Sequence, residues 1–405
     1  MTSAEQATEV DLLDPHLYAR DPGPVYARLR REAPVYWDAN NAIWGISRHR
    51  DVLAIEKETG RYSSARGSRP LIDMGESMIN KDDPAHATQR RLVSARFTPR
   101  AVRDHEVRVR EIVTALIDRV CAAGSAEVVA DLAAPLPATV ICDLLGFDRA
   151  RWEDCKRWSE VTMSAAGYKP TDAAGAHAAS LEAVLEFRDA ALELIAARRA
   201  EPGDDLVSVW VNSSVDGFAM PDDEIVQEAL LLLDGGAETT RSVISGTVLA
   251  LAAHPEQHRK LLEDPSILGR SGVEEFIRWV TPVLNMRRTA TCDHDLQGQR
   301  IGPGDQVLLM YGSANRDEEV FADPERFDVT RSPNHHVAFG FGTHFCLGAH
   351  LARLEIRVMF EELIRRLPDF RLAPGARPEV APGYFARTLQ QLPIEFSPSP
   401  SSTSE

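Results

Sequence analysis

Residues 338–356 read AFGFGTHFCLGAHLARLEI, and the fold turns on how this stretch is understood. Cys346 ends a loop in which Gly340, Gly342 and Gly348 alternate with Phe339, Phe341 and Phe345. Directly after it, apolar residues recur at helical spacing. A helix start stabilises an anion and so lowers the pKa of a thiol placed there. The glycines permit a tight turn and the close approach of a flat partner. Phe339 and Phe345 supply apolar cover that keeps water off the sulfur. A loop of this kind suits an axial thiolate on haem iron. Two other readings stand beside it. A single cysteine is most often a buried free thiol. A zinc site built from His335, His336, His344 and Cys346 would need a ligand spacing that these residues lack.

Working outward, the most distinctive upstream segment runs from Pro221 to about His254 with no proline inside it. Asp222, Asp223 and Glu224 favour its positive end. At about 1.5 Å per residue such a helix crosses roughly 50 Å, the width of a domain. Its centre is LLLLDGGAETT, residues 230–240. Two mid-helix glycines cost about 1 kcal/mol each against alanine, so they need a reason, either a close ligand or a local break in the hydrogen bonding. Elsewhere DHEVRVREIVTALIDRV, SLEAVLEFRDAALELIAARRA and GAHLARLEIRVMFEELIRRL carry the helical period. Strand-like runs are short: PVYWDA and AIWGIS early, VLLMYG and TLQQLPIEF late. No Gly/Ser/Pro-rich linker divides the interior. The expectation is one large, mainly α domain with small β-sheets, over residues 15–398, a flexible N-terminus over 1–14 and a disordered Ser/Pro-rich tail over 399–405.

Composition narrows the function classes. The chain has 405 residues, 44% hydrophobic and 26% charged, which excludes a disordered chain. Its net charge of -16 makes it a poor non-specific partner for nucleic acid or anionic membrane. Five scattered cysteines form neither a disulfide ladder nor a CxxC pair. No uncharged apolar run reaches the length of a spanning helix, and the first residues carry no secretory apolar core. A cytoplasmic location is the expectation.

FGFGTHFCLG (339–348) matches the Phe-x-x-Gly-x-x-x-Cys-x-Gly haem-binding loop of the cytochrome P-450 family, and further motifs follow in that family's order. Gly235-Gly236-Ala237-Glu238-Thr239-Thr240 resembles its oxygen-activation motif. Glu275-Phe-Ile-Arg278 resembles its Glu-x-x-Arg, Asp323-Pro-Glu-Arg-Phe327 its Pro-Glu-Arg-Phe segment, and His86-Ala-Thr-Gln-Arg90 its His-x-x-x-Arg. The similarity runs from about Pro15 to Pro398.

The resemblance implies a cytochrome P-450 fold, a bound haem b (iron protoporphyrin IX) with Cys346 as its iron ligand, and a monooxygenase that draws on O2. A thiolate ligand favours O–O cleavage, which also needs protons. Glu238 and Thr239 form an acid–alcohol pair on one helical turn, and are the expected catalytic residues. In this reading the glycines open the helix for oxygen and water. Glu275, Arg278 and Arg326 form a structural triad. His86 and Arg90, four apart on one helix face, together with Arg288 and His344, fall on the positions that hold the two haem propionates; Arg287 competes with Arg288. Substrate-lining positions implied by the family pattern are Ile72, Met74 and Met78, then Leu231, Asp234 and Gly235, then Val283 and Leu284, and finally Phe385 and Ala386. Most are apolar, so a hydrophobic small-molecule substrate is expected. Residues 165–180 are a candidate lid or a simple loop. Asp234 departs from the family's apolar preference. It either pairs with an arginine or receives a polar or cationic substrate group.

DDPAHATQRRLVSARFT, DLAAPLPATVICDLLG, DDLVSVWVNSSVDG, PVLNMRRTAT and SPNHHVAFGFGTHFCLG are similar to actinobacterial steroid side-chain hydroxylases, which oxidise the terminal methyl of cholesterol or cholestenone. Hydroxylation or epoxidation of a macrolide, polyketide or other secondary metabolite is the alternative. A peroxygenase would lack the acid–alcohol pair, and a haem carrier would need no proton relay. The chain contains no flavin or ferredoxin module, so a ferredoxin and an NAD(P)H-dependent ferredoxin reductase are the implied partners. Arg90, Arg91, Arg96 and Arg353 are the expected docking patch.

Overall fold

A computed structural model describes residues 9–71, 75–169, 174–215 and 217–401. The elements that position the site are the helices α1 (His49–Lys57), α2 (Ala85–Ser94), α3 (Glu106–Val120), α4 (Pro135–Leu145), α5 (Trp152–Ala165), α6 (Ala174–Ala200), α7 (Asp222–Ala253), α8 (Val273–Val280) and α9 (Ala349–Arg366). The strands are β1 (Val35–Asp38), β2 (Ile43–Ile46), β3 (Tyr62–Ser63), β4 (Asn285–Ala290) and β5 (Gln306–Met310). The helical and strand-like runs read from the sequence all fall on elements of the matching type, with small late strands at Leu389–Gln391 and Pro393–Glu395. The fold is mainly α with small sheets, as expected.

The strands form one mixed sheet in the order β1-β2-β5-β4-β3. Only β2 and β5 run parallel, with Ile43 opposite Gln306; the other pairs are antiparallel. This register brings Arg288 of β4 opposite Val307 of β5. One face of the sheet buries Ile46, Val307 and Leu309 against Val52 and Ile55 of α1.

The long helix α7 spans 32 residues and packs on α4, α5, α8 and α9. Its acidic first turn, Asp222, Asp223 and Glu224, suits the dipole. The helix is continuous through Gly235-Gly236, which corrects the expected local break. A Cβ on Gly236 would meet the Ile141 side chain of α4 at 3.1 Å, so close helix packing gives this glycine a reason. A Cβ on Gly235 would meet nothing within 4 Å. The apolar stretch Val128–Leu145, mean hydropathy 1.7, is the only segment of the described residues long and apolar enough to cross a membrane. It is 72% buried in the fold and α4 within it packs against α7, so it is core.

The buried triad is a second correction. Glu275 and Arg278 on α8 are paired, Arg278 Nε to Glu275 Oε2 at 2.7 Å, with both side chains at 0% exposure. The third partner is Arg331, whose Nε lies 3.2 Å from Glu275 Oε2. Arg326 contributes its backbone carbonyl to Arg278, while its own side chain is 61% exposed. The sequence placed the right kind of group five residues too early, because loop geometry decides which of two nearby arginines turns inward.

Candidate functional site

The cysteine loop is tied at both ends. Cys346 N–H donates to Phe339 O at 2.9 Å and Gly340 N–H to Val337 O at 2.9 Å. Gly340 and Gly342 take φ values of +66° and +68°, which an L side chain rarely adopts. A Cβ on Gly342 would come within 2.5 Å of the Glu56 carbonyl. The close partner that demands this glycine is therefore the end of α1, not a flat ligand. Cys346 is an exposed residue, yet the surrounding chain pushes its thiol up by desolvation. The Gly348 N–H and the guanidinia of Arg90 and Arg353 act in the opposite sense. Phe339 is half-buried beneath Arg353, 4.5 Å from ring to guanidinium. The Phe345 ring packs edge-on against Phe339, 6.1 Å between centroids.

The four expected propionate partners converge. The rings of His86 on α2 and His344 in the cysteine loop lie 4.2 Å apart. His344 is driven down to about 2 by burial and by Arg288, His86 and Arg90. Arg90 donates to Phe345 O at 2.6 Å, and Arg288 Nη2 lies 3.0 Å from Glu56 Oε2. Arg287 is excluded as a competitor: its guanidinium is spent on the Gly67 and Arg66 carbonyls. His86 Nδ1 lies 3.1 Å from Asp83 Oδ1, while its buried Nε2 has no partner. An orphaned imidazole nitrogen beside a second imidazole held neutral and the guanidinia of Arg90 and Arg288 calls for anions. A dianionic macrocycle edge beside a cysteine sulfur meets that need, so these residues fit haem b.

On α7, Thr239 Oγ1 donates to Gly235 O at 2.7 Å. Glu238 is buried, and desolvation raises its carboxyl, with Arg241 opposing. Arg241 Nη1 sits 2.8 Å from Glu238 and 3.0 Å from Glu160 of α5, which is 29% exposed. The expected link from Glu238 toward the surface thus runs through Arg241. A guanidinium holds its proton, so Arg241 positions two carboxylates and does not conduct.

Asp234 is fully engaged. Arg69 Nη2 donates to its Oδ2 at 2.9 Å and Thr162 of α5 donates to its Oδ1 at 2.6 Å. This favours the arginine partner over a substrate cation. The Arg69 guanidinium also lies 5.3 Å from the Phe385 ring centroid. Asp234→Ala is expected to lower stability by about 1–3 kcal/mol by stranding Arg69. A double-mutant cycle with Arg69→Met should return a coupling of about 1 kcal/mol or more in thermal unfolding. Lost substrate affinity at unchanged stability would restore the substrate role.

Among the remaining expected substrate positions, the structure joins Val283 to Ala386 by a β-bridge and Leu284 N–H to Phe385 O at 2.8 Å. Leu231 and Met78 pack with the main helical core instead. Gly235 is exposed. Ile72 and Met74 lie outside the described residues, as does the middle of the candidate lid; α6 already begins at Ala174. Sequence reasoning missed Arg69, Glu56 and Glu228. Glu228 on α7 is buried and accepts from Met78 N–H at 2.6 Å, and burial lifts its carboxyl to about 7. A carboxylate on the apolar face of EIVQEALLLL was the available signal.

Two of the arginines expected at the docking patch carry partners within the chain. Arg353 is clamped by Glu274 at 2.6 and 2.9 Å, and Arg96 is paired with Asp204 at 2.5 Å.

Comparison with known proteins completes the site. The family profile "Cytochrome P450" matches residues 141–383. The chain is 43% identical over 399 residues to a steroid C26-monooxygenase of Mycobacterium tuberculosis, covering 98% of this chain and 99% of that one. A Mycobacterium marinum cytochrome P450, CYP268A2, in complex with pseudoionone superposes with a TM-score of 0.89 at 35% identity, covering 98% and 100%. CYP109E1 of Bacillus megaterium in complex with testosterone gives 0.87 at 33%, covering 93% and 98%.

Proposed function

The chain belongs to the cytochrome P450 family, is a haem b monooxygenase, and on that premise we propose that it hydroxylates the terminal methyl of a steroid side chain. The observation that carries this reading is the end-to-end 43% identity to a steroid C26-monooxygenase. When bound, the haem supplies O2 activation at a thiolate-ligated iron. The chain's own residues do the rest. Cys346 is the proposed ligand, in a loop whose shape is set against α1. His86, Arg90, Arg288 and His344 hold the two carboxylates and fix the ring's orientation. Thr239 and Glu238 hold a proton donor next to the reacting oxygen, with Arg241 keeping the acid in place. The apolar wall of Val283, Leu284, Phe385 and Ala386 excludes water and places the methyl group.

Electrons come from a separate ferredoxin and its NAD(P)H-dependent reductase, docking beside the cysteine loop near the exposed Arg91, which has no ion-pair partner among the described residues. The intact Glu238–Thr239 pair supports an O2-driven cycle over a peroxide-driven one and over a carrier role.

A Soret titration of the holoenzyme with sterols, macrolides and terpenes tests the substrate. Cholestenone is expected to give a tight low-to-high-spin change. Silence with sterols and a shift with a macrolide would replace this reading by the secondary-metabolite one. Cys346→Ser is expected to abolish the thiolate signature of the reduced carbon-monoxide spectrum; retention would overturn the ligand assignment.

A further inference from the structure

A second cleft of about 390 Å³ lies on the C-terminal half of α7 and shares only Leu284 with the residues assigned above. Its walls carry Leu249, Trp279, Val380 and Leu389, and its polar groups include Tyr26, His254, Thr281, Arg316 and Arg387. Tyr26, on the helix Gly23–Glu32, is 3% exposed, and its hydroxyl has no hydrogen-bond partner among the described residues. A buried hydroxyl without a partner is destabilising, so the group is retained against a penalty.

Arg316 is accounted for. It lies 4.0 Å above the Trp279 ring, donates to Trp279 O at 3.1 Å and pairs with the exposed Glu325 at 2.7 Å. The half-buried Arg387 guanidinium makes no hydrogen bond or ion pair among the described residues. Desolvation lowers both guanidinia, and each arginine acts on Tyr26 electrostatically. The carboxylates at this cleft are Asp21, whose Oδ1 accepts from Gly23 N–H, and Glu325, already held by Arg316.

We propose that this cleft binds an amphiphilic carboxylate, its head group taken by the Arg387 guanidinium and the Tyr26 hydroxyl and its chain lying along Trp279, Leu249 and Val380. A guanidinium fork matches a carboxylate, a phenol O–H donates to one, and an inert apolar wall rejects a compact hydrated anion. A lone cation would be repelled by the two arginines, and a neutral chain would leave Arg387 and Tyr26 unmatched.

The site borders the catalytic wall from behind. Leu284 lines the cleft and donates to Phe385 O, and Arg387 follows Ala386, which bridges to Val283. Ser242, also on the cleft, donates to the Glu238 carbonyl at 2.8 Å. A ligand here rests on the reverse side of segments that hold the substrate wall and the acid.

The test uses haem-loaded enzyme whose iron is blocked by 4-phenylimidazole, so that the catalytic pocket is filled and its Soret band monitored. Calorimetric titration with decanoate is expected to show saturable binding with that band unchanged, and decanol is expected to bind at least about tenfold more weakly. Arg387→Gln should weaken decanoate about tenfold or more, and Tyr26→Phe about three- to tenfold. Neither substitution touches the haem residues, so spectra and melting temperature report folding independently. Cholanate in place of decanoate tells whether a steroid acid or only a linear chain is admitted; either one binding through Arg387 supports the site. Equal binding of decanoate and decanol, decanoate binding indifferent to Arg387→Gln, or no binding of any carboxylate overturns it.

Discussion

Glu275→Gln is expected to prevent accumulation of folded, haem-loaded protein, not to slow turnover. The carboxylate is at 0% exposure, accepts four hydrogen bonds and is ion-paired in addition with Arg331. Arg278 Nε and Nη2 reach it at 2.7 and 2.8 Å, the Asp328 N–H at 2.9 Å, Asn334 at 3.1 Å and Arg331 at 3.2 Å. Glutamine keeps the shape but removes the charge and turns an NH2 toward guanidinium groups. Removing one partner of a buried ion pair costs about 3–5 kcal/mol because the other charge stays buried. Against a total stability of about 5–15 kcal/mol that is a large share. The damage also spreads, because Arg278 organises the Asn315 and Pro324 carbonyls with its Nη1 at 2.9 and 3.0 Å. Those bonds hold the segments leading into the cysteine loop. Arg326→Ala provides the contrast. Its exposed side chain predicts a change within about 0.5 kcal/mol, whereas Arg331→Ala should be clearly destabilising. Haem content per purified chain and thermal unfolding decide the matter; a normal melt for Glu275→Gln would show that the buried carboxylate is dispensable.

The difference between Arg326 and Arg331 shows what the sequence could and could not reveal. Features set by local spacing were legible: the continuous period of α7, the i,i+4 pair His86 and Arg90, the cysteine before a helix. Each depends on residues close in sequence, where helix geometry fixes which side chains share a face. Features set by tertiary approach were not. Asp234 meets Arg69 across 165 positions, and Arg288 meets Glu56 across 232. No local pattern names such a partner. Gly342 was legible as a glycine that needed a reason, but the reason, the backbone of α1, required the fold. The same holds for Gly236 against Ile141. The sequence also gave no sign that Tyr26 and Arg387, over 350 positions apart, would share a cleft.

Thr239→Ala and Glu238→Gln are expected to separate electron consumption from product formation. Thr239 Oγ1 spends its proton on Gly235 O at 2.7 Å, which leaves the oxygen's lone pairs free to accept a hydrogen bond from a water. Glu238, one residue earlier, is buried, and desolvation raises its carboxyl, so it holds a proton more readily than an exposed glutamate. Arg241 restrains it at 2.8 Å and ties it to Glu160, so delivery requires the carboxyl to turn from the guanidinium toward Thr239. Glu238→Gln keeps the volume and loses the acid. Product formation should fall by about 10²–10⁴, the range for a general acid, with the Soret shift on substrate binding unchanged. Thr239→Ala removes the hydroxyl while the helix stays continuous. NADH consumption should persist while product falls and hydrogen peroxide rises. Arg241→Ala should lie between them, because it frees the acid to turn but leaves Glu238 and Glu160 to repel each other. The ratio of product to NADH, read beside peroxide, distinguishes the three. Full coupling in Thr239→Ala would remove the hydroxyl from the proton path and leave Glu238 to reach the reacting oxygen through water alone.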